Sequence, residues 1–287
     1  LVELPLALMN PGDLLLLPDP GYPDYLSGVS LGRVAYETFP LTAENDFLPD
    51  LDAIPEETAR RAKFIYINYP NNPTGAVATK AFYEKLVAWA KTYEVGVVSD
   101  LAYGALGYQG YENPSFLSTP GAKDVGIEFY TFSKTFNMAG WRLAFAAGNE
   151  QMIEALNLIQ DHLFVGIFPA LQEAGIAALL DPKSEEAVAQ LNETYDSRRD
   201  AFVQAAAKIG WQAFPSRGSF YAWMPVPEGY TSESFADLLL EKAHVAVAPG
   251  KGFGPAGDAY VRIGLLVEPE RLVEAVDRIA NLHLFNN

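Results

Sequence analysis

The segment VGIEFYTFSKTFNMAGWR, residues 125–142, joins an apolar run to a short stretch of hydroxyl, basic and glycine residues. Its part GIEFYTF (126–132) predicts a strand of the buried kind. Lys134 follows that strand between two hydroxyl residues, and Arg142 comes eight positions later. Lysine is seldom fully buried unless it is paired or used chemically, so this lysine directs attention to the end of the strand.

Working outward, five further apolar runs before residue 150 predict strands: 13–18, 34–40, 63–69, 95–100 and 143–149. An amphipathic helix is predicted over 79–93, and an N-terminal helix that ends near Asn10-Pro11-Gly12. Uninterrupted apolar strands separated by helices favour an α/β fold, with a mostly parallel sheet covered by helices on both faces. Ligands of such sheets bind beyond the carboxyl ends of the strands. The polar residues expected there are Asn68 to Gly75, Asp100 to Tyr103, and Ser133-Lys134.

The pattern changes after Glu150. Long helices are predicted over 150–180 and 184–209, then an apolar segment over 218–227, a helix over 232–243, a strand over 259–266 and a helix over 269–284. This order predicts a large α/β domain over residues 1–185 and a smaller α+β C-terminal domain over residues 186–287.

Composition excludes several classes of function. The chain has 287 residues and a formal net charge of −16, which argues against nucleic acid or an acidic membrane face as a partner. It has no cysteine, which excludes disulfides and thiolate catalysis, and its three scattered histidines predict no metal site and receive no role. No apolar run approaches the ~18 residues that a membrane helix needs, and no signal peptide is visible, so a cytoplasmic protein is expected.

Two motifs at predicted strand ends have both a structural and a functional interpretation. NYPNNPTG (68–75) is ordinary turn chemistry; alternatively, Asn72 hydrogen-bonds a phenolic or carbonyl oxygen of a ligand. Asp100 either caps the following helix or faces a cationic ring nitrogen, with the hydroxyl of Tyr103 at another ring substituent.

The opening segment allows the same two interpretations. Lys134 and Arg142 are either surface cations or parts of a site. Thr131, Ser133 and Arg142 would make a phosphate cradle of two hydroxyl groups and one planar guanidinium. A lysine between these donors, far along the chain from an aspartate and an asparagine at neighbouring strand ends, suits a cofactor that forms a Schiff base.

The order of the motifs resembles the class I/II aminotransferases, pyridoxal-phosphate (PLP) enzymes of fold type I. The motifs are PGYPDY, NPTG, DLAY, SKTFNMAGWR and YVRIGLL, and they span nearly the whole chain. GAKDVGIEFYTFSKTFNMAGWR is similar to bacterial LL-diaminopimelate-type enzymes and to transaminases that regenerate methionine. The resemblance implies ping-pong transfer of an amino group between an L-amino acid and a 2-oxo acid, in a homodimer.

The resemblance also assigns roles. Lys134 would hold PLP as a Schiff base and then move the proton of the substrate Cα, while Asp100 would pair with the pyridine nitrogen. Arg262 would bind the substrate α-carboxylate, with Asn72 and Tyr22 beside the substrate. The remaining cofactor contacts are Tyr22 stacked on the ring, Asn72 and Tyr103 on the ring O3′, and Thr131, Ser133 and Arg142 on the phosphate. Residue type alone indicates that Tyr22 is an aromatic residue of the core and that Arg262 belongs to an ion pair on the surface.

The resemblance further implies a segment before Leu1 that carries a Gly-rich phosphate-binding turn and an arm that crosses the dimer. We therefore expect a fragment that binds PLP weakly or misfolds unless that part is supplied. The alternatives are an inactive scaffold, a PLP-dependent β-lyase or decarboxylase of the same fold, and a PLP-dependent transcription regulator. Gly218-Ser219-Phe220 and Tyr221 either line the junction of the domains or belong to the small-domain core, and the motifs leave the substrate side chain open.

Overall fold

The computed structural model describes residues 1–285, and two sheets organise them. The strands are β1 Leu14–Asp19, β2 Ala35–Pro40, β3 Ala62–Asn68, β4 Gly96–Asp100, β5 Gly126–Thr131, β6 Ala144–Gly148, β7 Tyr221–Pro225, β8 Ala248–Pro249 and β9 Tyr260–Gly264. The helices are α1 Leu4–Leu8, α2 Asp24–Gly32, α3 Glu56–Arg61, α4 Lys80–Tyr93, α5 Ala122–Val125, α6 Phe132–Thr135, α7 Glu150–Leu163, α8 Pro169–Leu180, α9 Ser184–Lys208, α10 Ser232–Leu238 and α11 Pro269–Ala280. Short 3-10 helices cover Ala43–Asn45, Leu51–Ala53, Phe116–Ser118, Ala139–Trp141, Gly250–Phe253 and Pro255–Ala259.

The larger sheet has the strand order β2-β1-β3-β4-β5-β6. Its first five strands in this order are parallel to one another, and β6 is antiparallel to β5. The connection from β5 to β6 contains only α6 and one 3-10 turn, and a link this short makes the chain reverse rather than cross over. The mostly parallel sheet predicted from the apolar runs is therefore confirmed.

Helices cover both faces of this sheet because side chains alternate along each strand. On β1, Leu14 and Leu16 point into a core that includes α4, whereas Leu15 and Leu17 point into a second core. That second core includes residues of α1, α2 and α7. The strands are thus buried on both sides, which explains their uninterrupted apolar sequences.

The smaller sheet has the order β7-β9-β8 with antiparallel pairing. Its core contains Trp211 together with apolar residues of α9, α10 and α11. The predicted boundary near residue 185 lies at the start of α9. The division into two domains stays a prediction, and residues 286 and 287 of the predicted small domain lie outside the described residues.

Several predicted elements differ from the structure. The single helix predicted over 150–180 is wrong, because the chain leaves α7 at Leu163 and begins α8 at Pro169. Between them, Val165 and Gly166 have φ angles of 61° and 133°, which no right-handed helix accepts. The helix predicted over 232–243 changes at residue 239 from α to a π-helical turn. In residues 1–285, no helix combines the length and the apolar character needed to span a membrane.

Candidate active site

A cavity of about 690 Å³ lies beyond the carboxyl ends of β3, β4 and β5. The predicted site residues are scattered along the sequence from residue 22 to residue 262. The structure brings them together, since all of them line this cavity: Tyr22, Asn72, Asp100, Tyr103, Thr131, Ser133, Lys134, Arg142 and Arg262. Parallel strands end at one edge of a sheet, which is why motifs so distant in sequence meet there.

Asp100 is the last residue of β4 and is buried. The hydroxyl of Tyr25 donates a hydrogen bond of 2.8 Å to its Oδ2, and the side-chain amide of Asn68 donates to its backbone oxygen at 2.8 Å. Burial raises the pKa of this carboxyl above its usual value, and the hydrogen bond from Tyr25 and the charge of Lys134 act against that rise. A buried carboxylate with this environment is suited to meet a cationic group in the cavity.

Lys134 lies on α6, the single helical turn that follows β5 directly. Thr131 is the N-cap of this turn, and its Oγ1 accepts a hydrogen bond from the backbone N–H of Ser133 at 3.2 Å. The Lys134 Nζ lies 5.9 Å from the ring centroid of Tyr103. Burial lowers the pKa of Lys134, and Arg142 lowers it further, so this amine loses its proton more readily than a surface lysine.

The hydroxyl and guanidinium groups expected to hold a phosphate lie at the end of β5. The Oγ1 of Thr131 and the Oγ of Ser133 are 2.9 Å apart. Arg142 has a left-handed backbone with φ 53°, and its Nη1 donates to the carbonyl oxygen of Ala139 at 2.9 Å. All three side chains line the cavity, so two hydroxyl groups and one guanidinium face the same space.

The turn after β3 holds its asparagines with side-chain hydrogen bonds. The Oδ1 of Asn68 accepts from the backbone N–H of Asn72 at 2.8 Å, and the Oδ1 of Asn71 accepts from the hydroxyl of Thr74 at 2.8 Å. The Oδ1 of Asn72 in turn accepts from Nη1 of Arg262 at 2.7 Å. Because its Oδ1 is engaged, Asn72 presents its amide N–H groups to any ligand.

Arg262 lies on β9, so the smaller sheet contributes this residue to the cavity. Its guanidinium carbon lies 4.1 Å from the ring centroid of Tyr221 and 4.6 Å from that of Phe253. The hydroxyl of Tyr22 donates to Oδ2 of Asp24 at 2.5 Å, and burial, followed by that bond, raises its pKa to about 12. Tyr22 therefore stays neutral at the cavity wall at ordinary pH.

Sequence reasoning missed two residues that contact the site, Tyr25 and Phe253, and left the place of a third, Tyr221, open. Tyr25, the final residue of PGYPDY, follows Tyr22 by about one helical turn, and recognising the start of α2 at Asp24 would have placed it on the same side. Phe253 had no signal, because it contacts Arg262 from the end of a short 3-10 helix that has no apolar periodicity. Tyr221 was left open between the domain junction and the small-domain core, and it lines the cavity.

These residues fit PLP on the chemistry of their donors. Asp100 is a buried carboxylate whose only hydrogen-bonded side chain within residues 1–285 is neutral Tyr25, so a protonated ring nitrogen would relieve its buried charge. Lys134 is a half-buried amine of lowered pKa, which suits reaction with an aldehyde. Two hydroxyl groups and Arg142 suit the phosphate.

Comparison with known proteins agrees with this chemistry. The sequence profile of the family "Aminotransferase class I and II" matches residues 1–279. The chain is 57% identical over 285 residues to the L-glutamine–4-(methylsulfanyl)-2-oxobutanoate aminotransferase of Bacillus subtilis strain 168, covering 99% of this chain and 71% of that protein. It is 48% identical over 279 residues to the LL-diaminopimelate aminotransferase of Moorella thermoacetica, covering 97% of this chain and 71% of that protein.

The fold is likewise similar to solved structures. The substrate-bound structure of BacF from Bacillus subtilis superposes with a TM-score of 0.94 at 46% identity, and the match covers 99% of this chain and 72% of that one. The names of these relatives do not favour a lyase or a decarboxylase. The chain therefore belongs to the class I and II aminotransferases, enzymes that use PLP to transfer amino groups between amino acids and 2-oxo acids.

Proposed function

We propose that this aminotransferase works at the cavity beyond β3, β4 and β5, with Lys134 as its catalytic lysine. The observation that carries the proposal is the position of two ionisable groups around one cavity. Asp100 ends β4 with a raised pKa, and Lys134 lies just beyond the neighbouring strand β5 with a lowered pKa. Ionisable groups whose pKa values are shifted from their ordinary values in one cleft are typical of catalytic sites.

The lining side chains divide into those that would hold the cofactor and those that would bind substrate. When bound, PLP supplies an aldehyde that condenses with primary amines and a ring that accepts an electron pair. The residues that would hold it are Lys134 at the aldehyde, Asp100 at the ring nitrogen, Asn72 and Tyr103 at the ring oxygen O3′, Tyr22 on the ring face, and Thr131, Ser133 and Arg142 at the phosphate.

Lys134 then acts in proton transfer. Its lowered pKa raises the fraction of neutral amine near neutral pH, and a neutral Nζ accepts the proton from the Cα of an amino-acid substrate. The carboxylate of Asp100 would stabilise a positive charge on the ring nitrogen of the bound cofactor. Tyr25 orients this carboxylate by a hydrogen bond of 2.8 Å. Arg262 binds the α-carboxylate and thereby orients the Cα toward Lys134.

For the substrate, we propose L-glutamine as amino donor and 4-(methylsulfanyl)-2-oxobutanoate as acceptor. The 57% identity to the Bacillus subtilis enzyme supports this pair. Of the cavity-lining residues in the described chain, only Lys134, Arg142 and Arg262 are cationic, and each already has a proposed role. The neutral side chains of both proposed substrates need no further cation.

Replacing Lys134 tests the assignment of the site. In Lys134→Ala the rate of transfer from L-glutamine to 4-(methylsulfanyl)-2-oxobutanoate should fall on the order of 10²-fold or more, because the general base is removed. The visible absorbance of the lysine-bound cofactor should be lost as well. Lys123→Ala, at an exposed lysine on α5 at the other end of β5, should match the parent in both measurements.

The outcomes separate the possibilities. Full turnover in Lys134→Ala would refute the catalytic role. A parent protein without cofactor absorbance and without turnover would indicate an inactive scaffold. Faster transfer from LL-diaminopimelate than from L-glutamine would reject the proposed donor but leave the site assignment intact.

A homodimer and a cytoplasmic location are also proposed. Large apolar side chains are exposed from the end of α7 through α8: Leu158, Leu163, Phe164, Val165, Phe168, Ile176, Leu179 and Leu180. A stretch of the chain with this many exposed apolar side chains is typical of a protein–protein interface, which supports a second copy as the partner. Sedimentation analysis of the parent and of Phe168→Asp tests this, since only the parent should sediment as a dimer.

A further inference from the structure

Arg262 is held by neutral groups rather than by carboxylates. Within residues 1–285, it forms no salt bridge at 4.0 Å or less. Its Nη1 donates a hydrogen bond of 2.7 Å to Oδ1 of Asn72, which is a neutral amide. A guanidinium has five N–H donors, so most of its fork stays available for a carboxylate that enters the cavity.

Two aromatic rings supply the rest of its environment. The guanidinium carbon lies 4.1 Å from the ring centroid of Tyr221 and 4.6 Å from that of Phe253, well within the range of a cation–π interaction. Rings attract and orient the cation without competing for its hydrogen-bond donors. They therefore fix Arg262 while its charge remains available.

The register of the smaller sheet explains why Tyr221 meets Arg262. On the antiparallel strands β7 and β9, Tyr221 is paired with Gly264 and Trp223 with Arg262. Residues two apart on one strand share a face, so Tyr221 and Arg262 are diagonal neighbours on the same face. The residue directly opposite Tyr221 has no side chain, and the diagonal guanidinium extends over the ring.

Tyr221 also contacts the opposite part of the cavity. Its hydroxyl accepts a hydrogen bond from the hydroxyl of Tyr103 at 3.5 Å, and the two rings meet edge to face with centroids 5.9 Å apart. Phe253 is anchored separately, because its carbonyl oxygen accepts a hydrogen bond of 2.7 Å from the backbone N–H of Gly21. The edge-to-face contact therefore links the ring of Tyr221 to Tyr103, and the backbone hydrogen bond links Phe253 to the segment after β1.

We propose that Tyr221 is a positioning residue that holds Arg262 in the orientation that receives the substrate α-carboxylate, with Phe253 in support. The inference rests on the proposed role of Arg262. A positioning role for Tyr221 differs from a packing role in one measurable respect. Loss of the ring should weaken the binding of carboxylates and leave cofactor binding unchanged. Loss of the hydroxyl alone should leave carboxylate binding unchanged.

The experiment compares Tyr221→Leu, Tyr221→Phe and Phe253→Leu with the parent, each as the PLP-loaded full chain. The probe is 4-(methylsulfanyl)butanoate, a carboxylate without an amine, and its Kd is measured by calorimetry. Tyr221→Leu should raise this Kd and the KM for L-glutamine by about 5- to 30-fold, with a smaller change in kcat. Phe253→Leu should raise both in the same direction, and Tyr221→Phe should match the parent.

Two controls separate this inference from the proposed function. Tyr230→Leu, at a partly exposed tyrosine of the same part of the fold, should leave the Kd unchanged. Arg262→Ala alone should weaken binding of the probe. Adding Tyr221→Leu to Arg262→Ala should raise the Kd little further, because both changes act on the same interaction with the carboxylate. If Arg262→Ala leaves the Kd unchanged, the carboxylate role of Arg262 fails. If Arg262→Ala weakens binding but Tyr221→Leu and Phe253→Leu do not, only the positioning role of the rings is overturned.

Discussion

Asp100 combines a functional requirement with a structural cost. Its carboxylate is buried at the end of β4, and burial raises its pKa above the ordinary value. Between the ordinary and the raised pKa, the folded protein binds more protons than the unfolded chain. Stability therefore falls as pH rises through that interval, and the charged carboxylate weakens the cofactor-free fold at neutral pH.

Asp100→Asn tests this balance. The cofactor-free variant should be more stable than the cofactor-free parent at pH 7, by roughly 2 °C in Tm for each kcal/mol recovered in a chain of this size. The difference should shrink as the pH is lowered toward 4, because the raised pKa lets the folded parent take up a proton on Asp100 before the unfolded chain does. Thermal unfolding at the two pH values measures this.

The same substitution should lower function. Transfer by the PLP-loaded Asp100→Asn enzyme should slow at least on the order of 10²-fold, because a neutral amide does not stabilise a cationic ring nitrogen. A variant that is less stable at both pH values, or that turns over like the parent, would contradict this account of Asp100.

At the scale of elements, the turn after β3 depends on one backbone position. Gly75 has φ 73°, and a Cβ there would lie 2.3 Å from the Oγ of Ser216. The hydroxyl of Ser216 also donates to the carbonyl oxygen of Gly75 at 3.1 Å. The turn that carries Asn72 is therefore packed directly against the segment that leads into β7.

Gly75→Ala should destabilise the protein by more than backbone strain alone explains. Gly110 provides the matched control, because its φ is 72° and a Cβ added there would have nothing within 4 Å. Gly110→Ala should cost about 1 kcal/mol from the left-handed backbone, whereas Gly75→Ala should cost at least about 1 kcal/mol more and raise KM. Equal losses of stability in urea unfolding would show that the contact with Ser216 is unimportant.

At the scale of the whole molecule, Asp19 joins the two sheets. It ends β1, is buried, and its Oδ1 accepts a hydrogen bond of 3.0 Å from the backbone N–H of Ala256. Gly254 lies so close that a Cβ there would be 2.2 Å from the same oxygen. The segment that carries Phe253 is thereby fastened to the carboxyl end of the larger sheet.

Asp19→Leu should loosen this connection and Asp19→Asn should preserve it. The leucine variant loses the acceptor for Ala256 and should lose about 1 kcal/mol of stability. The KM of the leucine variant for L-glutamine should rise too, because Phe253 contacts Arg262. The asparagine variant keeps an acceptor oxygen and removes a buried carboxyl of raised pKa, so its Tm at pH 7 should equal or exceed that of the parent. Identical KM values for all three proteins would exclude a link from Asp19 to the substrate site.

Most of the large sheet was predictable from local patterns. Each buried strand is visible in the sequence as a short apolar run, and polar residues at its carboxyl end mark the edge where ligands bind. The break between α7 and α8 was missed because apolar spacing continues through Val165, although Gly166 and Pro169, the first residue of α8, are local signals of a helix end and a new start. Likewise, β8 has two residues and no periodicity to detect.

The sequence by itself determined the mostly parallel sheet and the polar residues that follow β3, β4 and β5 at its carboxyl edge, since both follow from patterns within a few residues. Only the tertiary structure decided which of those side chains touch. Tyr25 bonds to Asp100 across 75 positions and Arg262 bonds to Asn72 across 190. Such contacts depend on strand order, sheet register and the packing of the two sheets, and these are set by burial of the whole chain rather than by any local pattern.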